Sequence, residues 1–85
     1  MPTPAIVTLL TRPGCHLCDD AREIVTAVVA ENARAVFIER SIADDPALLD
    51  RYAEEIPVVL INDRVHNIWR VDAARLRTAL NEETT

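Results

Sequence analysis

Cys15-His16-Leu17-Cys18 is the place in this 85-residue chain where residue type and spacing together can do chemistry. Two thiols three residues apart follow a turn signal, Thr11-Arg12-Pro13-Gly14, and open a helical pattern. Residues three apart on a helix share a face. Their Cα atoms then lie about 5–6 Å apart, the separation a disulfide needs. Such a pair can close and reopen with little backbone movement. The reactive species is the thiolate, and a free thiol with a pKa of about 8.5 is only a few per cent ionised at neutral pH. A helix N-terminus favours an anion through its unpaired N–H groups and its dipole. Cys15 sits at that terminus, so it is the expected nucleophile, with Arg12 three residues earlier adding positive charge. Asp19 and Asp20 oppose the effect from deeper in the helix. Cys18 lies one turn in, on the face leading to Ala21 and Val25, and is the expected buried, resolving thiol. The chemistry implied is attack on a disulfide, a mixed disulfide, then release by Cys18.

Other readings of the pair stay open on the residues alone. Two small buried side chains are the plainest. A structural zinc site needs four ligands, usually with a second pair at similar spacing. Only His16 and His66 are on offer, and His16, between the thiols, is expected to face away from both, so no metal site is assigned. An iron–sulfur or metal carrier could still use Cys15 with a thiol from a partner chain. A non-catalytic binding module could use the pair as a redox switch.

Composition narrows the setting. The chain is 49% apolar and 27% charged with a single Gly, which suits one globular domain spanning residues 1–85 and excludes a disordered chain. Two cysteines are too few for a disulfide scaffold. Met1-Pro2-Thr3-Pro4 has no basic region ahead of an apolar stretch, so no export signal is read there. No apolar run is long enough to span a membrane. The expected compartment is the reducing cytoplasm, where a Cys pair is catalytic, redox-sensing or metal-binding rather than structural. Net charge is −5, and all nine bases are Arg without any basic run, so nucleic acid is not an expected partner. A monomer is the expected state.

The elements that must position the thiols follow from periodicity. Ala5–Leu10 is a continuous apolar run with β-branched residues, which predicts a central strand covered on both faces. Ala21, Ile24, Val25, Val28 and Val29 fall at i, i+3, i+4, i+7 and i+8, which predicts a helix over Cys15–Ala30. Ala35–Glu39 reads as a second strand. Asp45 and Pro46 are an N-cap and a first helical residue, opening a short helix that buries Leu48, Leu49 and Tyr52. Ile56–Ile61 and Val65–Trp69 form a hairpin around Asn62-Asp63-Arg64. Phe37 and Tyr52 read as core, Trp69 as core or rim packing, and His66 as an exposed strand residue. Asp72 caps a last helix, with Val71 and Leu76 as a hydrophobic staple and Leu76, Ala79 and Leu80 as its apolar stripe. Asn81–Thr85 reads as a polar tail. The order is β-α-β-α-β-β-α, an α/β fold with a four-stranded mixed sheet and helices on both faces. An antiparallel third strand starts at the sheet end where Cys15 emerges, and the fourth returns Trp69 and Arg70 to that edge. Arg70 is a candidate for a substrate carboxylate.

On this order, on Thr-Arg-Pro-Gly-Cys-His-Leu-Cys-Asp-Asp-Ala after strand one, and on Ile56-Pro57 opening strand three, nearly the whole chain resembles the thioredoxin fold, and most closely the small glutaredoxin-like proteins. The resemblance implies a thiol–disulfide oxidoreductase that works without a bound cofactor. Electrons would come from a reductase or a small thiol such as glutathione, and the partners would be disulfide-bearing proteins or small thiols. It further implies a cis Pro57 facing the cysteine pair, with the Ile56 backbone offered to an extended substrate. Glutathione-using glutaredoxins carry Gly-Gly and an acidic helix start after strand four. Here that stretch is Asn67-Ile68-Trp69-Arg70-Val71-Asp72, without glycine, and Asp72 is the candidate partner for a ligand amine.

Overall fold

The computed structural model describes residues 4–84; Met1–Thr3 and Thr85, and with them the expectation drawn from the first three residues, lie outside the described residues. The elements are β1 (Ala5–Thr11), α1 (His16–Ala30), β2 (Ala35–Ser41), α2 (Pro46–Tyr52), β3 (Val58–Ile61), β4 (Arg64–Ile68) and α3 (Ala73–Glu83), with one turn of 3-10 helix, Ile42–Asp44, ahead of α2. The strands lie in the order β2-β1-β3-β4. β2 runs parallel to β1, and β3 is antiparallel to both β1 and β4.

The continuous apolarity of β1 is explained by its central place between two cores. Val7 and Leu9 face Ala21, Val25 and Val28 of α1 and Leu76 and Leu80 of α3. Leu10 faces the opposite way, into a cluster with Ile42, Tyr52, Val58 and Leu60. Helices therefore cover both faces, as the sequence predicts. Val71 and Ala79 pack against the first core beside Leu76, which fits the staple and the stripe. The second face is covered only at one end, because α2 has just seven residues. Val36, Ile38 and Ile6 remain exposed there. Leu49, expected in the buried stripe of α2, is also exposed. Two turns of helix bring a narrow stripe to the sheet, and Tyr52 with the half-buried Leu48 fills it.

Several boundaries differ from the sequence reading: β1 runs on to Thr11 and β2 to Ser41, and three further differences have a clear cause. Strand β3 begins at Val58 rather than Ile56, since Pro57 has no N–H for the ladder. Strand β4 runs Arg64–Ile68, because Trp69 has left the extended region with φ +66°. The tail is helical as far as Glu83, and Thr84 is buried. Its hydroxyl donates to the Leu80 carbonyl at 2.8 Å and accepts from the Asn32 amide at 3.0 Å, which docks the end of α3 on the α1–β2 connection. The hairpin turn has Asn62 and Asp63 at φ +50° and +67°, the primed two-residue geometry in which Asn and Asp tolerate the left-handed region. His66 is half-buried rather than exposed. The β3–β4 register slips between Leu60↔Val65 and Val59↔Asn67, so His66 is the extra residue of a bulge. Its Nε2 is buried without a partner, and burial, then the nearby Arg75 charge, hold its pKa down. Among the described residues, no helix is long and apolar enough to cross a membrane.

Candidate active site

β1 ends at Thr11, and a turn through Gly14 carries the chain into α1. Gly14 sits at φ +77°, and an added Cβ would meet nothing within 4 Å, so backbone conformation rather than space calls for glycine. Cys15 is then the N-cap of α1, with extended dihedrals, rather than its first helical residue. Its Sγ accepts the Cys18 N–H at 3.2 Å. A side-chain oxygen of Ser, Thr, Asp or Asn usually fills that role. A sulfur that caps a helix receives a donor whose contact strengthens as negative charge gathers on it.

The two thiols are free and unequal. Cys15 is partly exposed, whereas Cys18 is 1% exposed. Both pack with Leu10, Ile42, Ile56 and Val58, on the second face. Burial, then the hydrogen bond with Cys15, pushes the Cys18 thiol from its ordinary 9.0 up to about 11. The Arg12 backbone N–H and the Arg22 guanidinium pull weakly the other way. Arg22 is itself fixed: it grips Glu39 of β2 through two bonds, at 2.6 and 2.9 Å, and bonds Asp19 at 2.9 Å. Arg22 holds the Glu39 carboxyl below the usual carboxylate range. The pair ties the first turns of α1 to β2, and so steadies the helix end that carries the thiols.

The Ile56–Pro57 peptide bond is cis, and both residues are buried. The pairing Leu10↔Val58 brings the start of β3 to the sheet end from which Cys15 emerges. Cys15, Cys18 and Ile56 thus meet in one cluster. Arg12 is exposed and reaches the Cys18 sulfur through its backbone. Arg70 is exposed on the β4–α3 connection and lines a groove with Leu17. Asp72 accepts the Arg75 N–H at 3.1 Å as the N-cap of α3. Asp72→Ala is expected to lower stability by about 1 kcal/mol and Asp72→Asn to lower it far less, because Asn caps as well as Asp; thermal melts of both variants check this. Among the described residues, no group of three or more His, Cys, Asp or Glu is arranged to hold a metal ion.

Sequence reasoning missed three features. Leu17, between the thiols, is 42% exposed, and Trp69, read as core or rim packing, lies outside the core at 54% exposed. A lone Trp at the end of a strand signals burial by its type, and only the backbone conformation of its turn reverses that. The Arg22–Glu39 clamp joins residues seventeen apart in sequence, and no local pattern announces it.

Comparisons with known proteins agree with this fold. The family model described as "Glutaredoxin-like domain (DUF836)" matches residues 6–81. An uncharacterized protein of Mycobacterium tuberculosis is 33% identical over 82 residues, covering 92% of this chain and 84% of that protein. A glutaredoxin-like protein of Dictyostelium discoideum is 29% identical over 75 residues, covering 82% and 69%. The X-ray structure of a structural-genomics target from X. campestris is similar at 34% identity and a TM-score of 0.72, covering 89% of this chain and 96% of that one. A mutant thioredoxin from Halobacterium salinarum shares the fold at 15% identity and a TM-score of 0.74, covering 98% and 77%. By family and by architecture, this chain belongs to the glutaredoxin-like domain family and carries the thioredoxin fold.

Proposed function

We propose that this protein is a thiol–disulfide oxidoreductase that reduces disulfides of proteins or small molecules through Cys15 and Cys18. The observation that carries the reading is the Cys15 Sγ seated as a helix N-cap, accepting the Cys18 N–H at 3.2 Å, with Cys18 hidden beneath it. The Cys15 thiolate attacks one sulfur of the substrate. That S–S bond breaks, a mixed disulfide forms, and the departing thiolate takes a proton. Cys18 then gives up its proton and attacks the Cys15 sulfur, which expels the second substrate thiol and leaves a Cys15–Cys18 disulfide. Two electrons pass to the substrate. A small thiol such as glutathione, or a reductase, returns them in the cytoplasm, with no bound cofactor. On this reading Ile56, Pro57, Arg12, Arg70 and Asp72 are the residues that receive substrate.

The test is a single turnover. Protein reduced beforehand and freed of reductant is mixed with a peptide disulfide, and the products are resolved by mass spectrometry. The protein should lose two hydrogens as two peptide thiols appear. Unchanged peptide and protein would refute the proposal.

The buried thiol makes a separate prediction. Folding raises the Cys18 pKa from 9.0 to about 11. The neutral thiol therefore supports the reduced fold fully below about pH 9, and that support is lost as pH rises through about 11. The urea midpoint of the reduced protein should fall across this window, and Cys18→Ala should flatten that part of the profile.

A further inference from the structure

The described surface holds a groove of about 240 Å³ between the first turns of α1 and the β4–α3 connection. Leu17, Ala21, Ile24, Trp69 and Val71 give it apolar walls, and Asp20 and Arg70 stand among them. About 150 Å³ is enough for an apolar cavity to hold benzene. Neither cysteine lines the groove; Leu17, which does, stands between them in the chain and links the two.

Trp69 is held in place at a cost. Arg70 N–H donates to the Ile68 carbonyl at 2.9 Å, closing a three-residue turn around Trp69 at φ +66°. This is the rare, strained sense of the γ-turn, and a bulky side chain there is an outlier. Two hydrogen bonds lock it: the Trp69 N–H to the Pro57 carbonyl at 2.8 Å, and the indole Nε1–H to the Glu54 carbonyl at 3.1 Å. The ring stays 54% exposed all the same. Core packing therefore does not account for a pinned indole in a costly turn, and strain of this kind collects at ligand clamps.

We infer that the Leu17–Trp69 groove is a substrate subsite for an apolar or aromatic side chain next to the half-cystine that Cys15 attacks, so that the preferred substrate is a polypeptide disulfide. The inference rests on the oxidoreductase reading and adds its selectivity. The occupant follows from continuity with the dithiol: a chain that presents its sulfur to Cys15 passes over Leu17, and its neighbouring side chain meets the indole. Placing that side chain there removes two exposed large apolar groups from water.

The test uses symmetric disulfide dimers of Gly-Cys-Xaa-Gly, with Xaa either Gly or Ser against Leu or Phe. Pre-reduced protein converts each dimer to two peptide thiols and ends as its own Cys15–Cys18 disulfide. Rates are normalised to those of the same dimers with dithiothreitol. The Leu and Phe dimers should react at least about tenfold faster than the Gly and Ser dimers, the scale of discrimination an apolar pocket gives. Trp69→Ala and Leu17→Ser should bring that ratio towards one. Leu17 lies on the helix surface, so Leu17→Ser decides the matter if Trp69→Ala does not fold. Equal rates in the parent protein, or a preference that survives in the folded variants, would overturn the subsite while leaving the oxidoreductase reading standing. If no dimer is reduced, both fall.

Discussion

Cys18→Ser protein mixed with a peptide disulfide should accumulate a covalent adduct on Cys15, and Cys15→Ser should lose disulfide reduction by about 10³-fold or more, the scale on which removing an essential nucleophile acts. The asymmetry follows from where the sulfurs sit. Cys15 is partly exposed and caps the helix, so the substrate can reach it and a donor already points at its sulfur. Cys18 is almost wholly buried and its thiol is pushed up to about 11, so it is a poor first attacker at neutral pH. It becomes competent once Cys15 carries a mixed disulfide, because the target sulfur then lies one helical turn away and the reaction is intramolecular. Replacing its sulfur by an oxygen leaves the first step intact and removes the second. The adduct should be released by added dithiothreitol and be absent from the Cys15→Ser/Cys18→Ser double variant. Rapid alkylation near neutral pH should mark Cys15 alone in the folded, reduced protein and both thiols after unfolding. An adduct on Cys18, or turnover that persists in Cys15→Ser, would reverse the assignment.

What could be read from the chain was whatever local chemistry decides. Asp45-Pro46 and Asp72 are helix starts because their side chains meet unpaired N–H groups within three residues, and the structure has both as N-caps. The unbroken apolarity of β1 requires cover on both faces wherever the strand lies. The thiol spacing signals redox chemistry because a helix turn sets the distance. The features that escaped depend on distant partners. His66 turns inward because β4 carries one residue too many against β3. Leu49 is left outside because α2 is too short to bury a second stripe. Trp69 is held outward by carbonyls of Glu54 and Pro57, which no periodicity places beside it. The dithiol was thus legible as residues, and the groove beside it only as a surface.

Leu9→Ala should be the most destabilising single truncation on the α1–α3 side of the sheet. Leu9 is 0% exposed and lies in the central strand, packed with Val25 and Val28 of α1 and with Leu76 and Leu80 of α3. Removing a buried leucine side chain forfeits its transfer free energy and leaves a cavity, together about 2–5 kcal/mol. In a domain of this size, each kcal/mol moves the melting temperature by about 4–8 °C, so a loss near 3 kcal/mol gives a fall of roughly 10–25 °C. The site should suffer with the fold, because the strand that carries Leu9 also delivers Cys15. Leu49→Ala is the matched control: the same atoms are deleted from a side chain 47% exposed, and the change should stay within about 1 kcal/mol. Urea unfolding of the two variants checks the contrast. A shift in midpoint without a change in slope identifies lost packing. Equal losses in both would mean that the sheet does not bury its central strand between two layers, and the platform for Cys15 would need redrawing.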